Sequence, residues 1–376
     1  MNRTLEILDR LIAFPTVSAD SNLALIDYVQ GLLSRAGFLV TRISSPCGQK
    51  AGLFARIGAG EGGVCLSAHA DVVPVAGQDW TRDPFRLTRD DTRLYGRGVT
   101  DMKGFLASAL ALAEEAGAQA DAPALSLVIS YDEEIGCVGI RQMMPALEPL
   151  IGRPRAVIVG EPTSMQVAIG HKGKAALEVT CHGQSGHSAL APDFINALHL
   201  ASGFVTAMID LQEVLSREVR DPGHAVPYST VHIGRMEGGR ALNIVPDHAR
   251  ILMEYRHLAD IPGSELRARI ETAAKQVAAG FGMPEGIMVK EVTAYPGLAT
   301  SPEAPVVDWA RRMAGGADVT KVAFGTEAGF FAALDLPTVV MGPGDMARDG
   351  HKPDEGLDLG ELAACGTMLA RVLEPG

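Results

Sequence analysis

Five short segments of this 376-residue chain each close an apolar run with side chains that bind metal or carry protons. They read His69-Ala-Asp71, Asp101-Met-Lys-Gly104, Asp132-Glu133-Glu134, Gly160-Glu161-Pro-Thr163 and Gly350-His351-Lys-Pro-Asp354. Two histidines among several carboxylates are the ligand mixture for a pair of hydrolytic cations. Zinc suits that mixture, with cobalt or manganese as workable substitutes. Two such ions, held about 3.5–4 Å apart by a bridging carboxylate, polarise a carbonyl and bring the pKa of an attacking water to near ~7. The water still needs a base to take its proton, and Glu133 is assigned that role.

Each segment has a reason to sit where it does. Side chains alternate along a strand, so His69 and Asp71 share a face, and a carboxylate there can hold the second nitrogen of a metal-bound imidazole. Asp101 follows the turn-prone Gly96-Arg-Gly98 and precedes a helix, a place from which an aspartate bridges two cations or, alternatively, caps the helix. Glu133 and Glu134 follow a strand and diverge, so one can bind metal while the other faces substrate. Glu161 ends another strand, and His351 lies in a loop after a third. The stretch Gly58-Ala-Gly60-Glu-Gly-Gly63 matches a dinucleotide fingerprint but leads into a strand, so it reads as a turn. No His-Glu-x-x-His helix, G-x-S-x-G elbow or phosphate loop is present.

The elements that must position these groups follow from periodicity. Residues 1–13, 21–36 and 103–117 read as helices, and 63–68, 124–130 and 156–159 as short strands buried on both faces. Toward the C-terminus, 318–324 and 336–341 read as strands and 359–373 as a closing helix. The alternation is that of an α/β sheet covered by helices. Between these halves the texture changes: strands at 175–182, 230–236, 249–256 and 286–293 enclose longer helices at 196–212 and 263–279. The expectation is a two-domain α/β protein, with a catalytic domain formed by 1–173 and 294–376. An α+β sandwich, residues 174–293, is inserted into it.

The formal charge of −12 argues against a nucleic-acid partner, since phosphate repels an acidic surface. The N-terminus mixes charge into its apolar residues, so no secretory signal is read there, and no stretch approaches the ~20 apolar residues that span a bilayer. Cys47, Cys65, Cys137, Cys181 and Cys365 are odd in number and scattered, which points to free thiols, with Cys65 and Cys181 buried in strands. A cytoplasmic enzyme with neither membrane nor nucleic-acid partner is expected.

Taken together, the five segments resemble the M20 family of metallopeptidases, from Phe14-Pro-Thr-Val-Ser18 to Gly350-His-Lys-Pro-Asp354. The resemblance implies a zinc-exopeptidase-like catalytic domain and an inserted lid domain that forms a homodimer. It implies two Zn2+, replaceable by Co2+: one ion on His69 and Glu161, the other on Glu134 and His351, with Asp101 between them. Asp71 orients His69, and Glu133 is the general base. His187, in Gly183-Gln-Ser-Gly-His187-Ser188, resembles the histidine delivered to a neighbouring subunit as an oxyanion donor. Asn243 and Arg256 lie where relatives bind a substrate carboxylate, although Arg256 is equally suited to a structural ion pair.

Within the family, Gly160–Ser164, His171-Lys-Gly173 and Gly325-Thr-Glu-Ala-Gly329 are most similar to acetylornithine deacetylases, and Val99-Thr100 departs by its bulk. This implies hydrolysis of N2-acetyl-L-ornithine or a related N-acyl amino acid, with Glu327 attracting a cationic side chain. A desuccinylase or broad aminoacylase is the alternative. A non-catalytic amino-acid-binding protein is disfavoured, because binding alone needs no general base.

Overall fold

The computed structural model describes residues 1–18, 20–58 and 62–373, so the middle of the Gly58–Gly63 motif lies outside the described residues. The chain divides into two compact units. Met1–Gly170, Leu298–Val322 and Thr326–Gly376 make the first, and His171–Gly297 with Ala323–Gly325 the second.

The first unit is an α/β fold on a mixed eight-stranded sheet. Its strand order is Leu39–Ser44, Ala51–Ile57, Leu125–Ser130, Val64–His69, Ala156–Val159, Thr338–Val340, Val167–Ala168, Val319–Thr320. Val64–His69 and Ala156–Val159 are buried at every position, which is why they read as continuous apolar runs without alternation. The helix Gly104–Gly117 is buried from Gly104 through Ala113 and packs against Asn2–Ile12 and Leu359–Ala370. Its Ala, Gly and Ser residues let neighbouring elements approach closely.

The second unit is an antiparallel four-stranded sheet, ordered Thr230–Gly238, His248–His257, Gly173–His182, Ile287–Tyr295. Burial alternates along Gly173–His182 and His248–His257, and the buried face packs on the helices Ala197–Arg217 and Gly263–Gly280. One covered and one open face gives a period of two, hence the clear sequence signal.

Three segments differ from their reading. The strand expected at 318–324 shrinks to Val319–Thr320, because its partner Val167–Ala168 offers only two residues to pair with. Leu39–Ser44 and Ala51–Ile57 form an antiparallel pair that periodicity left unassigned, the outer strand being buried only at Ile43. Val138–Ile151 is helical despite Pro145 and Pro149, residues that mask a helical pattern. All five cysteines are free, four of them buried and Cys47 exposed. Among the described residues no helix is long and apolar enough to cross a membrane.

Candidate metal centre

Strand pairing explains why residues far apart in sequence meet. Val64–His69 lies between two parallel neighbours, with His69 opposite Ser130 and Ser67 opposite Val159. Residues 132–134 and Glu161 therefore leave the sheet at the same carboxyl edge as His69, the edge at which open α/β sheets bind ligands. Gly160 allows this convergence, since a Cβ there would lie 1.9 Å from the Phe105 ring.

Asp101 is placed by an unusual turn. Gly98 adopts φ +88°, and a Cβ there would also meet Val72 at 2.7 Å, so glycine is required. Asp101 follows at φ −120°, ψ 89°, outside helical geometry, and Lys103 occupies the N-cap position of Gly104–Gly117. Asp101 is thus no helix cap. Its carboxylate stands between two imidazoles, with His69 Nε2 3.1 Å from Oδ1 and His351 Nε2 3.1 Å from Oδ2. Glu161 Oε1 lies 3.7 Å from His69 Nε2, and Glu134 Oε2 lies 2.9 Å from His351 Nε2.

Ligand atoms of His69, Asp101 and Glu134 fall within 4.8 Å of one another, as do those of His69, Glu133 and Glu161. Hydrogen bonding separates the glutamates. Glu134 Oε1 and Glu161 Oε1 are buried without a hydrogen-bond partner, whereas Glu133 Oε1 accepts the Cys137 thiol at 3.2 Å. Orphaned buried carboxylate oxygens beside two imidazoles fit cations, because a bound positive charge offsets the cost of keeping an ionised carboxylate out of water.

The electrostatics agree. Burial, reinforced by neighbouring carboxylates, pushes Glu133 and Glu161 well above the usual glutamate range, and Glu134 up to about 7. Burial alone would raise Asp101, but its hydrogen bonds to His351 and His69 hold it below the ordinary aspartate value. Hydrogen bonds to Asp101 and Glu134 lift His351 to about 10. These groups must shed protons to bind metal. Zinc affinity is therefore expected to rise between about pH 6 and 8, roughly tenfold per pH unit for each proton displaced. Glu134 ionises within that window, and His351 gives up a proton held until higher pH. Calorimetry in buffers of different ionisation enthalpy would count the protons released, and an affinity flat across the window would contradict this.

Asp71 stands beside His69 with both its main chain and its side chain. The nearest acceptor to His69 Nδ1 is the Asp71 backbone carbonyl at 3.0 Å, with the carboxylate Oδ1 at 3.5 Å. That carboxylate also accepts the Ser18 hydroxyl at 2.7 Å and the main-chain N–H groups of Glu133 and Glu134 at 3.1 and 3.3 Å. One side chain thus ties the His69 strand end to the Glu133–Glu134 turn. Asp71→Ala is expected to weaken metal binding about 10–100-fold, as loss of such supporting partners does. Metal titration of the purified variant checks this.

Several supporting residues escaped the sequence reading. Lys50 pairs with Asp132, the residue at φ +55° that opens the glutamate turn, and also donates to the Ser18 carbonyl. Asp354, quoted within the His351 segment, accepts from the Thr81 backbone N–H at 3.0 Å and hydroxyl at 2.7 Å. Ser18 ends a quoted motif in which it was given no role, and Glu355 lies one residue beyond another, adjacency being its only signal.

Glu327 is buried, with Oε2 3.4 Å from the Ser67 hydroxyl, and burial raises it to about 7. In the second unit, His187 pairs with Ile244, and the Ser188 N–H donates to the Asn243 carbonyl at 3.1 Å. Arg256 Nε donates to Glu254 at 3.0 Å, so the structural ion pair left open for it does form.

A cluster of buried acids with one buried imidazole, His69, and one half-exposed imidazole, His351, at the carboxyl edge of an α/β sheet is the site of a metal-dependent hydrolase. Residues 65–374 match the model of peptidase family M20/M25/M40, and the chain belongs to that family. It is 35% identical over 372 residues to an acetylornithine deacetylase from Myxococcus xanthus, covering 97% of this chain and 95% of that one. It also resembles the M20 family metallo-carboxypeptidase Sso-CP2 from Sulfolobus solfataricus, with a TM-score of 0.79, 18% identity and 99% coverage of both chains. The Bacillus subtilis YXEP protein, a dinuclear metal-binding peptidase of the M20 family, aligns with a TM-score of 0.70 and 17% identity. That alignment covers 99% of this chain and 97% of that one. The chain is accordingly a metal-dependent hydrolase acting on amides.

Proposed function

We propose that this enzyme removes the acyl group from an N-acyl amino acid, with N2-acetyl-L-ornithine as its best substrate and two Zn2+ as its cofactors. The observation that carries the two-cation reading is the Asp101 carboxylate with one imidazole on each oxygen. His69 and Glu161 would hold one ion, Glu134 and His351 the other, and Asp101 both. When bound, such ions polarise the scissile carbonyl and acidify the attacking water.

Glu133 takes the water's proton and passes it to the departing amine nitrogen. Its carboxylate is steadied by the Cys137 thiol and its main chain by Asp71. His187 is proposed as the oxyanion donor within a homodimer built through the second unit. Its Nδ1 accepts the Ala189 N–H at 3.0 Å, which leaves the proton on Nε2, free to donate. Arg256 and Asn243 are proposed to receive the substrate carboxylate. Lys174 shares Glu254 with Arg256, so the single acid does not cancel both cations.

The substrate assignment is supported by similarity to acetylornithine deacetylases over nearly the whole chain. It is tested by rates on acetyl, formyl and succinyl derivatives of ornithine, methionine and diaminopimelate, with metal content recorded. A preference for succinyl-diaminopimelate would replace this reading with the desuccinylase one. Glu327→Gln is expected to lower kcat/KM for acetylornithine about tenfold relative to acetylmethionine, as loss of one charge-assisted contact implies. An unchanged ratio would remove Glu327 from substrate selection.

A further inference from the structure

Glu355 has no place in the chemistry above, yet its carboxylate is among the most heavily engaged in the first unit. Oε2 accepts Arg97 Nη1 at 2.7 Å and the Gly98 N–H at 2.9 Å, and Oε1 accepts the N–H groups of Thr100 at 2.9 Å and Asp101 at 3.0 Å. Glu355 and Arg97 are each only 1% exposed. The backbone these bonds hold is the non-helical turn that presents Asp101, whose amides lack the regular carbonyl partners a helix would provide. Only a carboxylate supplies enough acceptor sites for four converging donors.

The same group reaches His351. Glu355 lies four residues beyond it, and the Glu355 carbonyl accepts the Gly96 N–H at 3.1 Å. Arg97 Nη2 donates to Gln78 Oε1 at 2.5 Å, and Gln78 Nε2 donates to the His351 carbonyl at 2.9 Å. Thr100 adds a bond from its hydroxyl to the Gly356 carbonyl at 2.9 Å. A circuit of hydrogen bonds, buried around Glu355 and opening to the surface at Gln78, therefore joins the main chain of Asp101 to that of His351.

We propose that Glu355, with Arg97, is a positioning residue that fixes Asp101 against His351 and so sets affinity for the cation that Glu134 and His351 would hold. It touches neither substrate nor reacting atoms. The proposal rests on the two-cation reading given above.

The test is calorimetric titration of metal-free wild type and Glu355→Gln with Zn2+, paired with visible absorption of the Co2+-loaded proteins. The amide of Glu355→Gln turns a donor toward Arg97 and Gly98. The variant is expected to bind one ion within about threefold of wild type and the other about 10–100-fold more weakly. The Co2+ band lost should be the one that His351→Ala also removes. Should Glu355→Gln fail to fold, the double variant Arg97→Met/Glu355→Gln, which leaves no buried unpaired charge, carries the same comparison. Wild-type affinity for both ions in a folded variant, or equal weakening of both, overturns the proposal. A wild type that binds fewer than two ions overturns the two-cation reading itself.

Discussion

Replacing Glu133 by alanine is expected to lower kcat by about 10²–10⁴-fold, the usual contribution of a positioned general base, while the protein still binds two metal ions. The expectation follows from how its carboxylate is held. Glu133 is steadied by the Cys137 thiol, whereas Glu134 and Glu161 each keep an unpartnered oxygen. Its main-chain N–H is fixed by Asp71. Burial beside other acids raises its proton affinity, so nearby cations would bring it back toward the range in which a carboxylate both takes and returns a proton. Steady-state kinetics with metal analysis on the same preparation decide the point. A variant keeping more than a few per cent of activity would reassign the base. One that lost metal along with activity would make Glu133 a ligand, which its proximity to His69 and Glu161 permits geometrically.

Asp101→Asn is expected to be more damaging, because one carboxylate serves both imidazoles. The amide keeps the size but gives up the charge and turns a donor toward a histidine or a cation. Loss of a supporting partner alone costs about 10–100-fold in metal affinity, so loss of this shared ligand should exceed about 100-fold for at least one ion, with activity falling in step. Stability should follow occupancy. Saturation at about 100 times Kd stabilises a folded protein by about 2.7 kcal/mol, a gain the variant should forfeit. Zinc titration and thermal melts with and without chelator measure both effects. An Asp101→Asn protein that binds two ions at wild-type affinity would show that the histidines are not bridged through this residue.

How much of this was legible in the residues depends on the range of the interaction. Val64–His69 and Ala156–Val159 were readable because strands buried on both faces are continuous apolar runs, and Gly173–His182 because a half-buried strand alternates. The helix Val138–Ile151 was not, since its two prolines contradict local helix propensity while Ile140, Met143, Leu147 and Ile151 are buried. Asp101 shows the same limit within the site. Its position before a helix allowed a cap or a bridge, and only the turn at Gly98 and the main-chain bond that Asp101 donates to Glu355 settle how it is presented.

By itself, the amino-acid order determined which chemistry was available: the acid and imidazole inventory, its recurrence at strand ends, and the two textures of the chain. These depend on residue type and on periods of a few positions, both written locally. Tertiary structure decided what residue type cannot encode. It set His69 in register with Ser130, put one imidazole on each oxygen of Asp101, and had the main-chain carbonyl of Asp71 approach His69 more closely than its side chain. It also recruited Ser18, Lys50, Arg97 and Glu355 as supports. Those partnerships join positions up to hundreds of residues apart, and their geometry exists only once parallel strand pairing has brought the loop ends to one edge of the sheet.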